Sequence, residues 1–155
     1  MTSSSQLSDV LHVLLHMAEI DGPSTSEALA AAMGSHPVVL RRLMGGLRQS
    51  GMVESAKGHG GGWVLCCPLA RITLRDVHEA LGAPALVSLG FRETHPACLV
   101  AQVVNDSLGA AVQDAEARLL RSLDGVTLAT LSEAFHQRRL AQGHAPHRLH
   151  EHHTP

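Results

Sequence analysis

The chain has no tyrosine, and its two phenylalanines and single tryptophan bring the aromatic share to only 2%. That removes the stacking platforms on which single-stranded RNA and DNA are held, and leaves duplex DNA as the better nucleic-acid match. Cysteine is scarce as well. Cys66, Cys67 and Cys98 make an odd number, and Met1 to Gln6 lacks the basic and apolar regions of a secretory signal, so reduced thiols are expected rather than a disulfide framework. No apolar run approaches the roughly 20 residues that cross a bilayer. A cytoplasmic location with no membrane partner is therefore expected. Enzyme signatures are missing too: no nucleophile stands with a base, no metal motif has standard spacing, and no Gly-Lys-Ser/Thr element accompanies the glycine run. Neither catalysis nor a nucleotide site is expected.

What is present suits a globular chain. Its 155 residues are 45% apolar and 17% charged, enough for one domain, or one head with a helical appendage. The net charge of −2 argues against nucleic acid only if it is evenly spread, and it is not. From His36 to His59 lie Arg41, Arg42, Arg48 and Lys57 against one acid, Glu54, and Lys57 is the only lysine in the sequence.

Hydrophobic spacing predicts the elements. Leu7, Val10, Leu11, Leu14, Leu15 and Ala18 mark a first amphipathic helix, capped at Ser5 or Ser8 and stopped at Asp21-Gly22-Pro23. Ser24 and Glu27 have capping-box spacing for a short second helix ending at Gly34. Ser35 is the expected cap of a third, with Pro37 in its first turn. Val39, Leu40, Leu43 and Leu47 form its buried stripe, and Gly51 its end. Met52 to Ala56 and Gly62 to Cys66, joined by Gly58-His59-Gly60-Gly61, read as a β-hairpin. Thr73 opens a further helix with Leu74, Val77 and Leu81 inward, ending at Gly82 and Pro84. Ala85 to His95 reads as a loop. Pro96 then opens a long helix with two apolar stripes. Val100, Val104, Leu108, Ala111, Ala115 and Leu119 form one, and Val103, Val112, Leu120 and Leu123 the other. One stripe can pack on the head and the other on a second copy, which makes a homodimer through this helix the economical solution. Thr127 caps a last helix through Phe135, and a polar, histidine-rich segment follows from Gln142.

The expected fold class is mainly α with a small β-hairpin wing: a winged helix-turn-helix head plus a long C-terminal dimerisation helix. The division is residues 1–84 for the DNA-binding head, 85–95 for a connecting loop, 96–141 for the dimerisation and last helices, and 142–155 for a disordered tail. In such a head the third helix enters the major groove and the wing reaches the backbone or minor groove. Arg41 and Arg42 suit guanine O6 and N7, with Val38 beside them on the helix's open face. Ser35 and His36 sit at an amino end that can donate to phosphate. At the wing, Gly58 and Gly60 let the main chain approach closely while Lys57 and His59 supply charge and hydrogen bonds. The plainer alternative is a solvated arginine face and a flexible loop.

These residues resemble the Rrf2 family of bacterial transcription regulators, which includes the IscR, NsrR and CymR types. The resemblance rests on Leu29-Ala30, Leu40 and Leu43-x3-Leu47, and then on Gly51-Met52-Val53-x-Ser55-x-Lys57-Gly58-x-Gly60-Gly61-Gly62-Trp63-x-Leu65. It continues through Ile72-Thr73-Leu74-x-Asp76-Val77 to Cys98 and the long helix, covering about Leu7 to Leu131. It implies a winged helix, homodimerisation through the long helix and a partly palindromic operator.

Members that carry an iron–sulfur cluster have three cysteines close together before and at the start of the long helix, where this chain has only Cys98. No cofactor is therefore expected, and a standard three-cysteine cluster least of all. Some relatives take a ligand from the first helix at a place that falls on His12, so His12, His95 and Cys98 are the candidates for a mixed metal site. The alternative is that His12 is an ordinary partly buried histidine and Cys98 a small core residue. Cys98, near a helix amino end, is also a candidate oxidation sensor. Neighbouring Cys66 and Cys67 point to opposite faces of a strand, so packing is their expected role. His144, His147, His150, His152 and His153 suit zinc, nickel or copper, with adventitious binding as the plain reading. The leading expectation is a homodimeric repressor. A winged-helix module that meets an acidic protein is the second, and a small metal or thiol enzyme the last.

Overall fold

The computed structural model describes residues 3–89 and 98–143. His95, Pro96 and the histidines from His144 onward, on which expectations were placed, lie outside the described residues. Helix α1 (Ser3–Ala18) is followed by α2 (Ser26–Ala32), α3 (Pro37–Gln49) and the antiparallel pair β1 (Val53–Ala56) and β2 (Gly62–Leu65). A single 3-10 turn at Leu69–Arg71 leads to α4 (Leu74–Ala80), and α5 (Leu99–Asp124) and α6 (Leu128–Ala141) complete the chain.

One apolar core joins these elements. Val10, Val13, Leu14 and Met17 of α1 meet Leu29 and Ala30 of α2, Leu40, Leu43, Met44 and Leu47 of α3, and Val77 of α4. Burial of each large aliphatic side chain contributes about 1.5–3 kcal/mol. The inner face of α1 is rotated from the expected stripe: Val13 and Met17 are buried, whereas Leu11, Leu15 and Ala18 are only half-buried. Apolar residues cover more than half of this helix's circumference, opposite Ser8, Asp9, His12 and His16, so its neighbours decide which part of that wide arc faces inward. Ser5 and Ser8, the expected caps, lie within α1, which begins at Ser3.

Two further caps fall one residue later than spacing alone predicts. Thr25, not Ser24, caps α2, its hydroxyl accepting from the Ala28 N–H at 3.1 Å. Ser24 instead pairs with β2: its N–H donates to the Trp63 carbonyl at 3.0 Å and its carbonyl accepts from the Trp63 N–H at 2.8 Å. His36, not Ser35, caps α3, while the Ser35 N–H donates to the Ala30 carbonyl across the turn at Gly34. Thr73 opens α4 as expected, and it does so through a complete capping box, with Thr73 and Asp76 exchanging hydrogen bonds at 2.8 and 3.0 Å.

The C-terminal helices are tied back to the head. The Leu74 N–H donates to the Val126 carbonyl and the Leu128 N–H to the Ile72 carbonyl, each at 2.9 Å, and the Leu128 side chain is fully buried in the common core. Helix α6 runs on to Ala141, beyond the expected end at Phe135, where Glu19, just past the end of α1, pairs with His136 at 3.0 Å and Arg139 at 3.4 Å. On α5 no residue is buried. Val112, Leu120 and Leu123 are half-buried, whereas Val100, Val103, Val104, Leu108 and Leu119 are exposed. Val103 therefore leaves the stripe to which its spacing assigned it. Among the described residues no helix is long and apolar enough to cross a membrane.

Candidate nucleic-acid interface

The amino end of α3 is largely self-satisfied. Pro37 has no N–H, and the Val38 N–H is taken by His36 Nδ1 at 3.2 Å. A ring that accepts at Nδ1 carries its proton on Nε2, so the donor His36 presents outward is that N–H. The helix's amino end thus offers fewer main-chain donors than expected, and the His36 ring stands in for them.

Along α3 the core-facing residues leave an outer line of Val38, Arg41, Gly45 and Arg48 at helical spacing. Val38 is 60% exposed, an unusual position for a large aliphatic side chain on a free surface. A Cβ on Gly45 would meet nothing within 4 Å, so the groove between Arg41 and Arg48 is open. Arg48 was counted in the basic stretch but not among the predicted contacts. Its two-turn spacing from Arg41 is the signal that identifies it.

The two predicted arginines diverge. Arg41 reaches toward α2 and holds Glu27 at 2.7 Å, in a pair with more than half of each side chain exposed. The Glu27 carboxyl is held below its ordinary range first by its own backbone N–H and then by the Arg41 guanidinium. Arg42 instead lines a depression with Gln6, Leu43, Gly46, Ala80 and Leu81, on the α1 and α4 side of the helix.

The wing is fixed at its base and open at its tip. The register pairs Val53 with Leu65, Glu54 with Val64, Ser55 with Trp63 and Ala56 with Gly62. The Trp63 indole N–H donates to Ser26 Oγ at 3.0 Å, and a Cβ on Gly62 would run into the backbone of Ser24. Lys57, Gly58, His59 and Gly60 are all exposed, with Gly58 and Gly60 at φ +105° and +80°, a region that side chains other than glycine rarely occupy. The Gly61 N–H closes the tip onto the Gly58 carbonyl at 3.0 Å.

Of the three thiols, Cys67 packs against the core, as expected, but Cys66 is exposed. Desolvation, followed by Glu54 and Cys67, pushes the Cys66 thiol up, which keeps it protonated at neutral pH. Cys98 is the exposed residue that precedes α5, so it is not a core residue. His12 is likewise exposed, and its ring faces His16.

A helix-turn-helix carrying a two-stranded glycine-tipped wing and an arginine-lined third helix defines the winged helix-turn-helix class. The family profile described as Rrf2, iron-dependent transcriptional regulator, matches residues 3–134, and the chain belongs to that family of transcriptional regulators. The HTH-type transcriptional regulator YwgB of Bacillus subtilis (strain 168) is 41% identical over 69 residues, which are 44% of this chain and 44% of that protein. The chain thus matches less than half the length of that relative. Two crystal structures share the fold. A transcriptional regulator from Lactobacillus plantarum has a TM-score of 0.69 at 20% identity, over 89% of this chain and 94% of the other. CymR, the global cysteine regulator of B. subtilis, has 0.59 at 23% identity, over 86% and 95%.

All three cysteines are described, and among the described residues no three histidine, cysteine, aspartate or glutamate side chains come together as metal ligands.

Proposed function

We propose that the chain binds duplex operator DNA as a homodimer and represses transcription by occupying a promoter. The observation that carries this reading is the pairing of one outer line on α3 (exposed Val38, Arg41 and Arg48, with half-buried Gly45 between) with the exposed wing tip at Lys57 to Gly60. The helix line presents arginines of the reach and geometry that read guanine O6 and N7, and an aliphatic side chain of the kind that packs on a thymine methyl. The wing adds one lysine, one histidine and close main-chain approach, which position the head on phosphates without reading sequence.

The exposed stripe of α5 supports dimerisation. Leu99, Val100 and Val103 are 65–73% exposed and continue into Val104, Leu108 and Leu119, a run of apolar surface on one long helix that a second copy would cover. Two copies related by a twofold axis present two α3 helices to two half-sites. Cys98, exposed at the start of that helix, stands where oxidation would alter the junction between arm and head, and this supports a redox-responsive regulator.

Selection of bound duplexes from a random pool with the purified protein, with and without oxidant, tests the reading. An inverted repeat is expected to emerge, with weaker enrichment after oxidation of the wild type and none of that weakening in Cys98→Ser. Recovery of duplexes without any shared motif would refute it.

A further inference from the structure

We infer that the junction of α1 and α6 carries a site for a zinc-like divalent transition metal, built from His12 and His16 with Glu19 as the third donor. The inference does not depend on DNA binding.

His12 and His16 stand one turn apart on the same face of α1, and their Nε2 atoms approach to 2.9 Å. Two protonated rings would repel at that distance, so at least one nitrogen is a bare acceptor. A neutral imidazole is the form a metal takes. Tetrahedral zinc with nitrogens at about 2.0–2.1 Å needs two ligand nitrogens about 3.3 Å apart. Parting of the rings by a few tenths of an ångström, with the shared proton leaving Nε2 so that one ring carries its proton on Nδ1 and both Nε2 lone pairs are bare, admits an ion between them.

The surroundings provide space and a third donor. A cavity of about 110 Å³ is bounded by His12, Leu15, His16, Glu19 and Phe135. Glu19 lies in the turn that closes α1, its N–H donating to the His16 carbonyl at 3.1 Å, and lines that cavity, with one oxygen on His136 Nε2 at 3.0 Å and the other 3.4 Å from Arg139. As the helices stand, the donors form two pairs, His12 with His16 and Glu19 with His136, rather than one cluster. Rotation of the Glu19 carboxylate into the cavity converts them into a site with two nitrogens and one oxygen, with water completing the shell. Arg139 would keep its place over the Phe135 ring, whose centre is 5.5 Å from the guanidinium carbon. Imidazole with carboxylate suits zinc, nickel or copper rather than magnesium or calcium, which prefer all-oxygen shells.

The site joins two parts of the molecule. Glu19 is the residue through which the turn after α1 holds His136 and Arg139 of α6, so an ion that draws its carboxylate away exchanges that contact for an ion-centred one. That couples metal occupancy to the seating of α6 on the head.

Calorimetric titration with zinc chloride on the intact chain tests this, set beside His12→Gln/His16→Gln and Glu19→Gln. The C-terminal histidines are present in all three proteins, so the difference isolates the α1 pair. The wild type is expected to bind about one zinc ion per chain more than the double variant, with a zinc-induced rise in Tm that the double variant lacks. Glu19→Gln is expected to weaken that one ion about tenfold or more. His12 is exposed, so the single His12→Gln variant serves if the double variant folds poorly. Equal zinc stoichiometry and equal Tm shifts in wild type and variant would overturn the inference.

Discussion

The indole N–H of Trp63 donates to Ser26 Oγ at 3.0 Å, and through that bond the wing is fastened to the first turn of α2. The same residue pairs its main chain with Ser24, so β2 is bonded on both edges, to β1 and to the segment entering α2. A wing held this way has one fixed orientation relative to α3. Ser26→Ala removes the acceptor of that bond and leaves the indole and its contacts in place. It is expected to cost about 0.5–1.5 kcal/mol in urea unfolding. DNA affinity is expected to fall with little change in the preferred sequence, since the wing positions rather than reads.

The adjacent glycines of α3 are expected to respond with opposite signs. A methyl group on Gly45 meets open space, and glycine inside a helix is about 0.5–1 kcal/mol less favourable than alanine, so Gly45→Ala is expected to stabilise by about that amount. A methyl group on Gly46 would collide with the Ala80 carbonyl, where α3 and α4 approach most closely. Gly46→Ala is expected to destabilise by about 1–3 kcal/mol. Chemical denaturation of both variants checks the pair, and destabilisation by Gly45→Ala would contradict this packing.

Much of this arrangement was legible in the sequence because local signals agreed with one another. The order of helices, the glycine-tipped hairpin, the Thr73 cap and the exposure of Arg41, Lys57 and His59 all followed from spacing and turn chemistry. The misplaced features were set by contacts distant in sequence. Ser24 and Thr25 are equally good caps in isolation, and pairing of Ser24 with Trp63 leaves the role to Thr25. Ser35 and His36 are separated in the same way by the turn onto Ala30. Leu128 gave no sign that it enters the head core, since its partners lie far back in the chain. The divergence of Arg41 and Arg42 follows from the 100° step between neighbouring helical residues, but Glu27 as the partner of Arg41 was visible only in the fold.

Charge placed in the middle of the exposed α5 stripe is expected to separate the two copies. Val104→Glu puts a carboxylate where the proposed interface is apolar, and it is expected to weaken self-association about thirtyfold or more, equivalent to about 2 kcal/mol. Sedimentation equilibrium measures this. The head should keep its unfolding transition, because α5 contributes no buried residue to it. An unchanged dimer, or a wild type that is monomeric at all concentrations, would contradict the assignment of this face.

Acid sensitivity should trace partly to α1. The folded-state pKa of His16 lies below its ordinary value of 6.5, so between these two values the unfolded chain binds a proton that the folded one does not. The stabilising contribution is full above pH 6.5 and is lost as pH falls through the lowered folded value. Wild type is therefore expected to lose stability faster than His16→Gln between neutral pH and about pH 5. Denaturation midpoints of the two proteins across that range give the difference, and parallel curves would contradict it.

The outer line of α3 and the tip of the wing are expected to grip duplex DNA together, once from each half of a twofold pair. Equilibrium titration of the protein against its selected duplex and a shuffled duplex of the same composition, at fixed moderate salt, tests it most directly. A preference of about a thousandfold or more for the selected duplex is expected, cut by about 1–3 kcal/mol in Arg41→Ala or Arg48→Ala, with Lys57→Ala weakening both duplexes alike. Equal affinity of the wild type for the two duplexes would contradict it.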